Sequence, residues 1–406
     1  MKQIPPLAPA LTYAELFPAG TVLAPRTSPE QMRWTGLNEF RIDYATGAAL
    51  PTLGEMTLIC HRNVLTPAIR AFYRSAGIRL GGTHRLYSTH AEAMQLARQC
   101  QMRGSTLAYV YSLPEELVSG GRLATPAALY DWLNDKANID RLCDAAHLPE
   151  HVLLEPGACA ALTEVMPQRP VFVKACHPGV SGGGADVRFC PDQASRQSAL
   201  DWLAGRPAGW SAVRVEEAAD VRESWCLNLA MSERDGVRYL GAAAQLFSSP
   251  ATQSGSRIDP HNQPAAETIA IASEIARKAA RLGFVGVAGF DMAETRDGKT
   301  LVFDLNFRPV ACTAQVLLHA SAARRIDAKI SQSWSRQLPG PLAPALAVLE
   351  PFAGNGSFVP VHLYESTLAT GDVSRINGLL MARTQDGIDA LQAAVDAAVD
   401  GATGSP

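Results

Sequence analysis

Short apolar runs alternate with amphipathic stretches over the first 120 residues. Residues 56–60 (MTLIC) read as a strand. Thr66-Pro67 then supply a cap and first-turn pair for a helix that runs to Ser75 and closes at Gly77. Ile78–Leu80 is strand-like, Thr89 and Glu92 have capping-box spacing ahead of a helix reaching Arg103, and residues 106–111 (TLAYVY) form another buried strand. This alternation predicts a small parallel α/β domain. No G-x-G-x-x-G follows a strand, so a dinucleotide site has no support.

The pattern changes further along. Thr125-Pro126 opens a helix that runs through Asp135-Lys136 toward Leu148-Pro149, and from Pro170 strands and glycines dominate: PVFVK, ACHPGVSGGGA, DVRF. That order predicts a strand-loop-strand hairpin. Residues 211–217, 223–231 and 238–247 are further strands, whereas 248–264 has almost no apolar residues and is expected to be a long exposed loop. Glu267–Leu282 is a helix ended by Gly283. Past Pro339 a proline-rich link leads to a C-terminal unit with an Ala/Asp-rich helix around 385–399 and a tail, GATGSP, expected to be unstructured. The expected fold is α/β and α+β in three parts. These are residues 1–124, then 125–335 with a flap-bearing small lobe at about 150–220, then 340–406.

Composition narrows the function. The chain has 406 residues, 47% hydrophobic and 18% charged, enough for more than one core. Its 36 basic and 39 acidic residues form no long run of either sign, which argues against nucleic acid or an anionic membrane as partner and for small molecules. Eight scattered cysteines without a C-x-x-C, no apolar run of membrane-spanning length and no signal-like apolar start lead to an expected cytoplasmic location.

The most informative segment is GVAGFDMAETRDGKTLVFDLNFR, residues 286–308. Asp297-Gly298 signals a two-residue hairpin loop, and pairing outward from it sets Asp291 across from Asp304. Strand alternation puts Asn306 and Arg308 on the face of Asp304. Opposed carboxylates repel, and such a pair is tolerated where divalent cations sit. Earlier, Lys174 ends the strand VFVK ahead of Gly179-Val-Ser181-Gly182-Gly183-Gly184-Ala185. That loop can offer backbone N–H groups to phosphate with the lysine supplying charge, or be a plain hairpin tip. Its order excludes a Walker A loop. Glu216-Glu217 close the strand AVRVEE, and Glu223 opens the next.

Taken in order over residues 126–320, these pieces resemble the ATP-grasp superfamily, which includes D-alanine:D-alanine ligase, glutathione synthetase and biotin carboxylase. The resemblance implies ATP between two α+β lobes behind a leading α/β domain. It also implies that Lys136 and Lys174 contact phosphates, and that a flap containing Ser181, Gly182, Gly183 and Gly184 closes over them. Glu216, with the backbone of Glu217 to Ala219, would hold adenine, and Glu223 ribose. Asp291, Asp304 and Asn306 would hold one or two Mg2+ ions, with Mn2+ able to substitute. Arg308 would stabilise the transferring phosphoryl group. Position 304 is usually glutamate in that family, so the shorter arm puts the second metal in doubt.

The reaction implied is ADP-forming amide synthesis through an acyl phosphate, with an amino acid or small peptide as the acid and an amine as acceptor. The competing readings are an ATP-grasp kinase and a non-catalytic nucleotide-binding module. Arg257, in the expected loop, and His61 and Arg62, at the carboxyl edge of the first strand, are substrate candidates. His177 and His261 read as surface histidines, and no general base stands out. A homodimer is compatible with this reading.

Overall fold

The computed structural model describes residues 5–28, 39–180, 184–207, 209–366 and 373–404. Its first sheet is parallel, in the order β3-β2-β1-β4, with β1 Val22–Leu23, β2 Thr57–His61, β3 Thr83–Tyr87 and β4 Leu107–Ala108. Helices α1 (Glu39–Ala45), α2 (Pro67–Ser75) and α3 (His90–Met102) accompany it. Thr66 caps α2 by accepting from Ile69 N, with Pro67 at the first helical position, and Thr89 caps α3 by accepting from Glu92 N.

Two strands differ from expectation. Val22–Leu23 is central in the sheet, yet two residues are too short to show any period. The third strand lies at Thr83–Tyr87 rather than Ile78–Leu80, because Gly82 turns the chain at φ +74° and Ile78 makes only an isolated bridge to Leu7. β3, at the sheet edge, is half-exposed and carries no apolar run that would mark it in the sequence.

After α4 (Ala127–Asn134) comes an antiparallel four-stranded sheet, β5-β8-β6-β7: β5 His151–Leu154, β6 Val171–Cys176, β7 Val187–Cys190 and β8 Ala212–Glu217. Helix α5 (Gln193–Ala204) covers one face, burying Val171, Val173, Ala175, Val213 and Val215 against Ala199 and Leu203. The alternate residues Lys174, Arg214 and Glu216 therefore point the other way.

The largest sheet has eight strands in the order β13-β12-β9-β10-β11-β14-β16-β15. They are β9 Val221–Ser232, β10 Gly236–Ser249, β11 Thr252–Ile258, β12 Gly286–Thr295, β13 Thr300–Asn306, β14 Ile330–Pro339, β15 Phe358–Tyr364 and β16 Val373–Ala382. Helices α6 (Ala266–Leu282), α7 (Thr313–Ile326), α8 (Ala343–Asn355) and α9 (Gln385–Thr403) pack on it.

Three expectations change here. Residues 252–258 are strand β11, paired to β10 and β14, so the polar stretch is not a long loop; its serines and glutamine sit on a polar sheet face. The boundary at 335–340 falls inside β14, whose pairing with β11 runs the C-terminal strands into the central sheet. One apolar core joins Leu58 and Ile69 of the first domain to Phe358 and Val395 of the C-terminal part, so those two parts fold on each other. Lastly, α9 continues through Gly401-Ala402-Thr403, where the sequence suggests a tail.

Candidate active site

Asp291 pairs directly with Asp304 across β12 and β13, and the route to that register differs from the expected one. The connection is a three-residue loop, with Gly298 N donating to Thr295 O (3.0 Å), Thr295 N to Lys299 O (2.9 Å), and Gly298 left-handed at φ +86°. A regular ladder from that loop would set Asp291 against Phe303. The register shifts by one between Met292↔Val302 and Asp291↔Asp304, so a bulge at Phe303 restores the carboxylate pair. It also takes the Phe303 carbonyl out of the regular ladder, and Lys174 Nζ donates to that oxygen at 2.7 Å.

Lys136 reaches the same strand. Its Nζ lies 3.0 and 3.1 Å from the two Asp304 carboxylate oxygens and 3.4 Å from Asp186, a residue only 2% exposed. Burial works against the ammonium charge, but Asp186 and Asp304 outweigh it and hold its pKa well above the ordinary lysine value. Asp135, just before it, accepts from Ala137 N and Ser211 Oγ, which fixes the turn that aims Lys136.

Asn306 donates Nδ2 to Asp304 (3.2 Å), and its Oδ1 accepts from Arg308 Nη2 at 3.0 Å. Gln245 on β10 donates to Asp291 Oδ1 at 3.0 Å. Burial, then the nearby Asp304 charge, raises Asp291 to about 7. Gly289 makes room for the segment after Arg308, since a side chain there would run into Val310.

On the smaller sheet, Lys174 and Arg214 are paired opposite one another, two cations on one face. Glu216 lies between them, 2.5 Å from Lys174 Nζ and 2.5 Å from Arg214 Nε, and Arg214 also bonds Asp140 at 2.6 Å. Arg214 is fully buried and Glu216 nearly so. The Glu216 side chain is thus the counter-ion of both cations. The backbone of Glu217 to Ala219 closes the strand, Glu217 N bonding Glu150 O and Ala218 N bonding Pro170 O. Glu223 stands across from Glu294, and its carboxylate has no hydrogen bond or ion pair among the described residues.

Ser181, Gly182 and Gly183 lie outside the described residues. At the flap base, Gly179 N bonds Asp131 O on α4, and Gly184 sits 3.3 Å (from an added Cβ) off Ala251 O in the β10–β11 turn. His177 is buried, not superficial as expected, and burial lowers its pKa. His261 is exposed.

The substrate candidates fare differently. Arg257 is on β11, not in a loop, and donates to Gln385 Oε1 of α9 (2.8 Å). Its neighbour Ser256 pairs with Gln245, the Asp291 partner, so alternation sends Arg257 to the opposite sheet face. That corrects its reading as a clamp at this site. His61 ends β2, buried and stacked on Tyr364 (5.7 Å), while Arg62 is exposed beside it. Asp186, Arg214 and Gln245 are the residues sequence reasoning missed. The period of two in AVRVEE already put Arg214 beside Glu216; nothing local signalled Asp186.

The donor set fits magnesium. Asp291, Asp304 and Asn306 present hard oxygens, and a cation there would offset the burial and the Asp304 repulsion that raise Asp291. Among the described residues no group of three or more His, Cys, Asp or Glu is gathered for a metal, so phosphate oxygens and water must complete such a shell. Two further properties bound the setting. No helix among the described residues is long and apolar enough to cross a membrane, and all eight cysteines are free thiols.

Known families and solved structures resemble this chain over most of its length. Residues 12–131 match the family model for the N-terminal domain of L-aspartate–L-methionine ligase, and residues 149–306 match that for its ATP-grasp domain, together about two thirds of the chain. Among solved structures, an ADP complex of N5-carboxyaminoimidazole ribonucleotide synthetase is similar at TM-score 0.59 and 11% identity, covering 99% of this chain and 100% of that one. The Aspergillus clavatus N5-carboxyaminoimidazole synthase with ADP and 5-aminoimidazole ribonucleotide gives 0.55 and 15%, covering 93% and 98%. The biotin carboxylase domain of Hydrogenobacter thermophilus 2-oxoglutarate carboxylase, with MgADP and bicarbonate, gives 0.56 and 11%, covering 93% and 89%. At these identities the likeness is one of fold.

Proposed function

Because the chain belongs to the L-aspartate–L-methionine ligase family, whose members are ADP-forming ATP-grasp carbon–nitrogen ligases, we propose that it joins L-aspartate, as the activated acid, to the amino group of L-methionine. The observation that carries the reading is the convergence of Lys136, Lys174, Asp304, Asn306 and Arg308 on one bulged strand and the turn after it, with Asp291 directly across.

In this reading Lys136 and Lys174 bind the ATP phosphates, exchanging part of their hold on Asp304 and the Phe303 carbonyl for phosphate oxygens. The backbone of residues 217–219 holds adenine, and Glu223 the ribose hydroxyls. The flap from Gly179 to Ala185, including Ser181–Gly184, excludes water during transfer. Asp291, Asp304 and Asn306 hold Mg2+, for which Mn2+ can stand in. A cation held there would neutralise phosphate charge.

An aspartate carboxylate oxygen attacks the γ-phosphorus as ADP leaves. Arg308, oriented by Asn306, stabilises the charge on the transferring group. The amine then attacks the acyl carbon and expels phosphate. A kinase is disfavoured by the family match, which is to an amide-forming ligase over both of its domains. Free thiols and dependence on ATP support a cytoplasmic location.

Hydroxylamine in place of the amine tests the acyl phosphate and names the acid. Aspartyl hydroxamate should accumulate with ADP when L-aspartate is the only amino acid supplied. Methionyl hydroxamate under matched conditions would reverse the assignment of acid and amine.

A further inference from the structure

Three buried polar atoms without a hydrogen-bond partner lie where α1 crosses the outer strands of the large sheet: the Tyr44 hydroxyl, Arg375 Nε and Asn377 Oδ1. They are neighbours. The Arg375 guanidinium is 5.0 Å from the Tyr44 ring centroid, and Tyr44 stacks at 3.6 Å on His362, which pairs across β15–β16 with Asn377. Arg375 and Asn377 are two apart on β16 and share a face. The side chains of Arg375, Asn377 and Tyr44 make no hydrogen bond or ion pair among the described residues.

One such orphan is tolerable, but three together ask for a ligand. Their chemistry specifies it. A guanidinium and a phenolic hydroxyl donate to a carboxylate, and an amide oxygen accepts from an ammonium. That set complements the zwitterionic end of an α-amino acid.

The position suits a substrate. Arg375 pairs with Tyr364, which stacks on His61 at the carboxyl edge of the N-terminal sheet, where ligands of α/β sheets bind. On β14, Ser335 and Gln337 stand across from Asn377 and Arg375 and are exposed. The same face runs on through Ser333, which accepts from Ser256 N at 2.8 Å, to Gln245, the Ser256 partner that bonds Asp291. One polar sheet face thus links the orphan atoms to the phosphoryl-transfer site.

We propose that Tyr44, Arg375 and Asn377 form an amino-acid subsite. Arg375 and Tyr44 hold the α-carboxylate, and Asn377 the α-ammonium, of one of the two molecules the enzyme joins. The proposal rests on the reading that both substrates are amino acids.

Calorimetric titration of the full chain with each L-amino acid, and with the matching amine that lacks the α-carboxylate, tests it. An amino acid that binds the wild type should lose on the order of 100-fold in affinity in Arg375→Met and about 10-fold in Tyr44→Phe. ATP affinity and the melting temperature should stay unchanged, and the decarboxylated amine should not bind. Equal binding to the wild type and to folded Arg375→Met overturns the subsite, as does a wild type that binds no amino acid. If the amino acid lost on Arg375→Met is neither aspartate nor methionine, the subsite stands and the assigned substrate pair falls.

Discussion

Lys136 Nζ bridges two acids from distant parts of the chain, lying 3.0 Å from Asp304 Oδ1 and 3.4 Å from Asp186 Oδ2. Asp186 is almost fully buried, so the ion pair with this lysine lies out of water. Lys136→Met should therefore destabilise the protein by about 3–5 kcal/mol, the scale of breaking a buried ion pair by removing one partner. Adding Asp186→Asn should recover much of the loss. Urea denaturation of the two single variants and the double variant measures the coupling, and additive losses would contradict the bridge.

Asp304 is partly exposed and Asp304→Asn leaves Lys136 an amide acceptor and its pair with Asp186, so changing Asp304 or Asn306 should spare the fold. Asp304→Asn and Asn306→Ala are each expected to cut ADP formation by at least ~100-fold, the scale of losing a transition-state charge partner. The melting temperature should shift only slightly. Near-wild-type turnover in either variant would remove these residues from the metal site.

Glu216 neutralises two cations that face each other across β6 and β8. Glu216→Gln should cost about 3–5 kcal/mol of stability, because it leaves the fully buried Arg214 with Asp140 alone and Lys174 without a counter-charge. It should also raise the KM for ATP by misplacing Lys174. A variant as stable as the wild type would show that the chain Lys174–Glu216–Arg214–Asp140 carries little energy.

Acid should unfold the protein partly through His362. Its Nε2–H donates to Tyr44 O, and burial pushes its pKa down to about 3. The unfolded imidazole titrates near 6.5. Between those values the unfolded chain binds a proton that the folded chain does not, so stability falls as pH drops from about 6.5 toward 3, by up to about 1.4 kcal/mol per unit. His362→Gln should flatten the stability–pH curve over that window by close to one proton. An unchanged slope would mean that the folded state accommodates the charge.

The carboxylate pair was legible because a hairpin signal and a period of two locate Asp291 against Asp304 without any tertiary information. It was reached through two offsetting deviations, a longer loop and a bulge at Phe303, neither of which the sequence marks. Lys174 and Arg214 could be placed on one face by alternation, but their meeting with Glu216 depends on the β6–β8 register. Asp186 and Gln245 became visible only in three dimensions, since each reaches the site from a segment distant in sequence. Polarity misled at β11. Its serines face a hydrated or hydrogen-bonded sheet surface, so a strand there lacks the apolar signature that distinguishes it from a loop.

In the proposed reaction, ATP cleavage is coupled to amide formation between two amino acids. The direct measurement is phosphate release with L-aspartate and L-methionine supplied singly and together, with mass analysis of the products. ADP and phosphate should form in equal amounts only with both present. They should match one-for-one a product whose mass is the sum of the two amino acids less one water. Stoichiometric ATP consumption with a single acid, yielding a stable phosphorylated product, would contradict it.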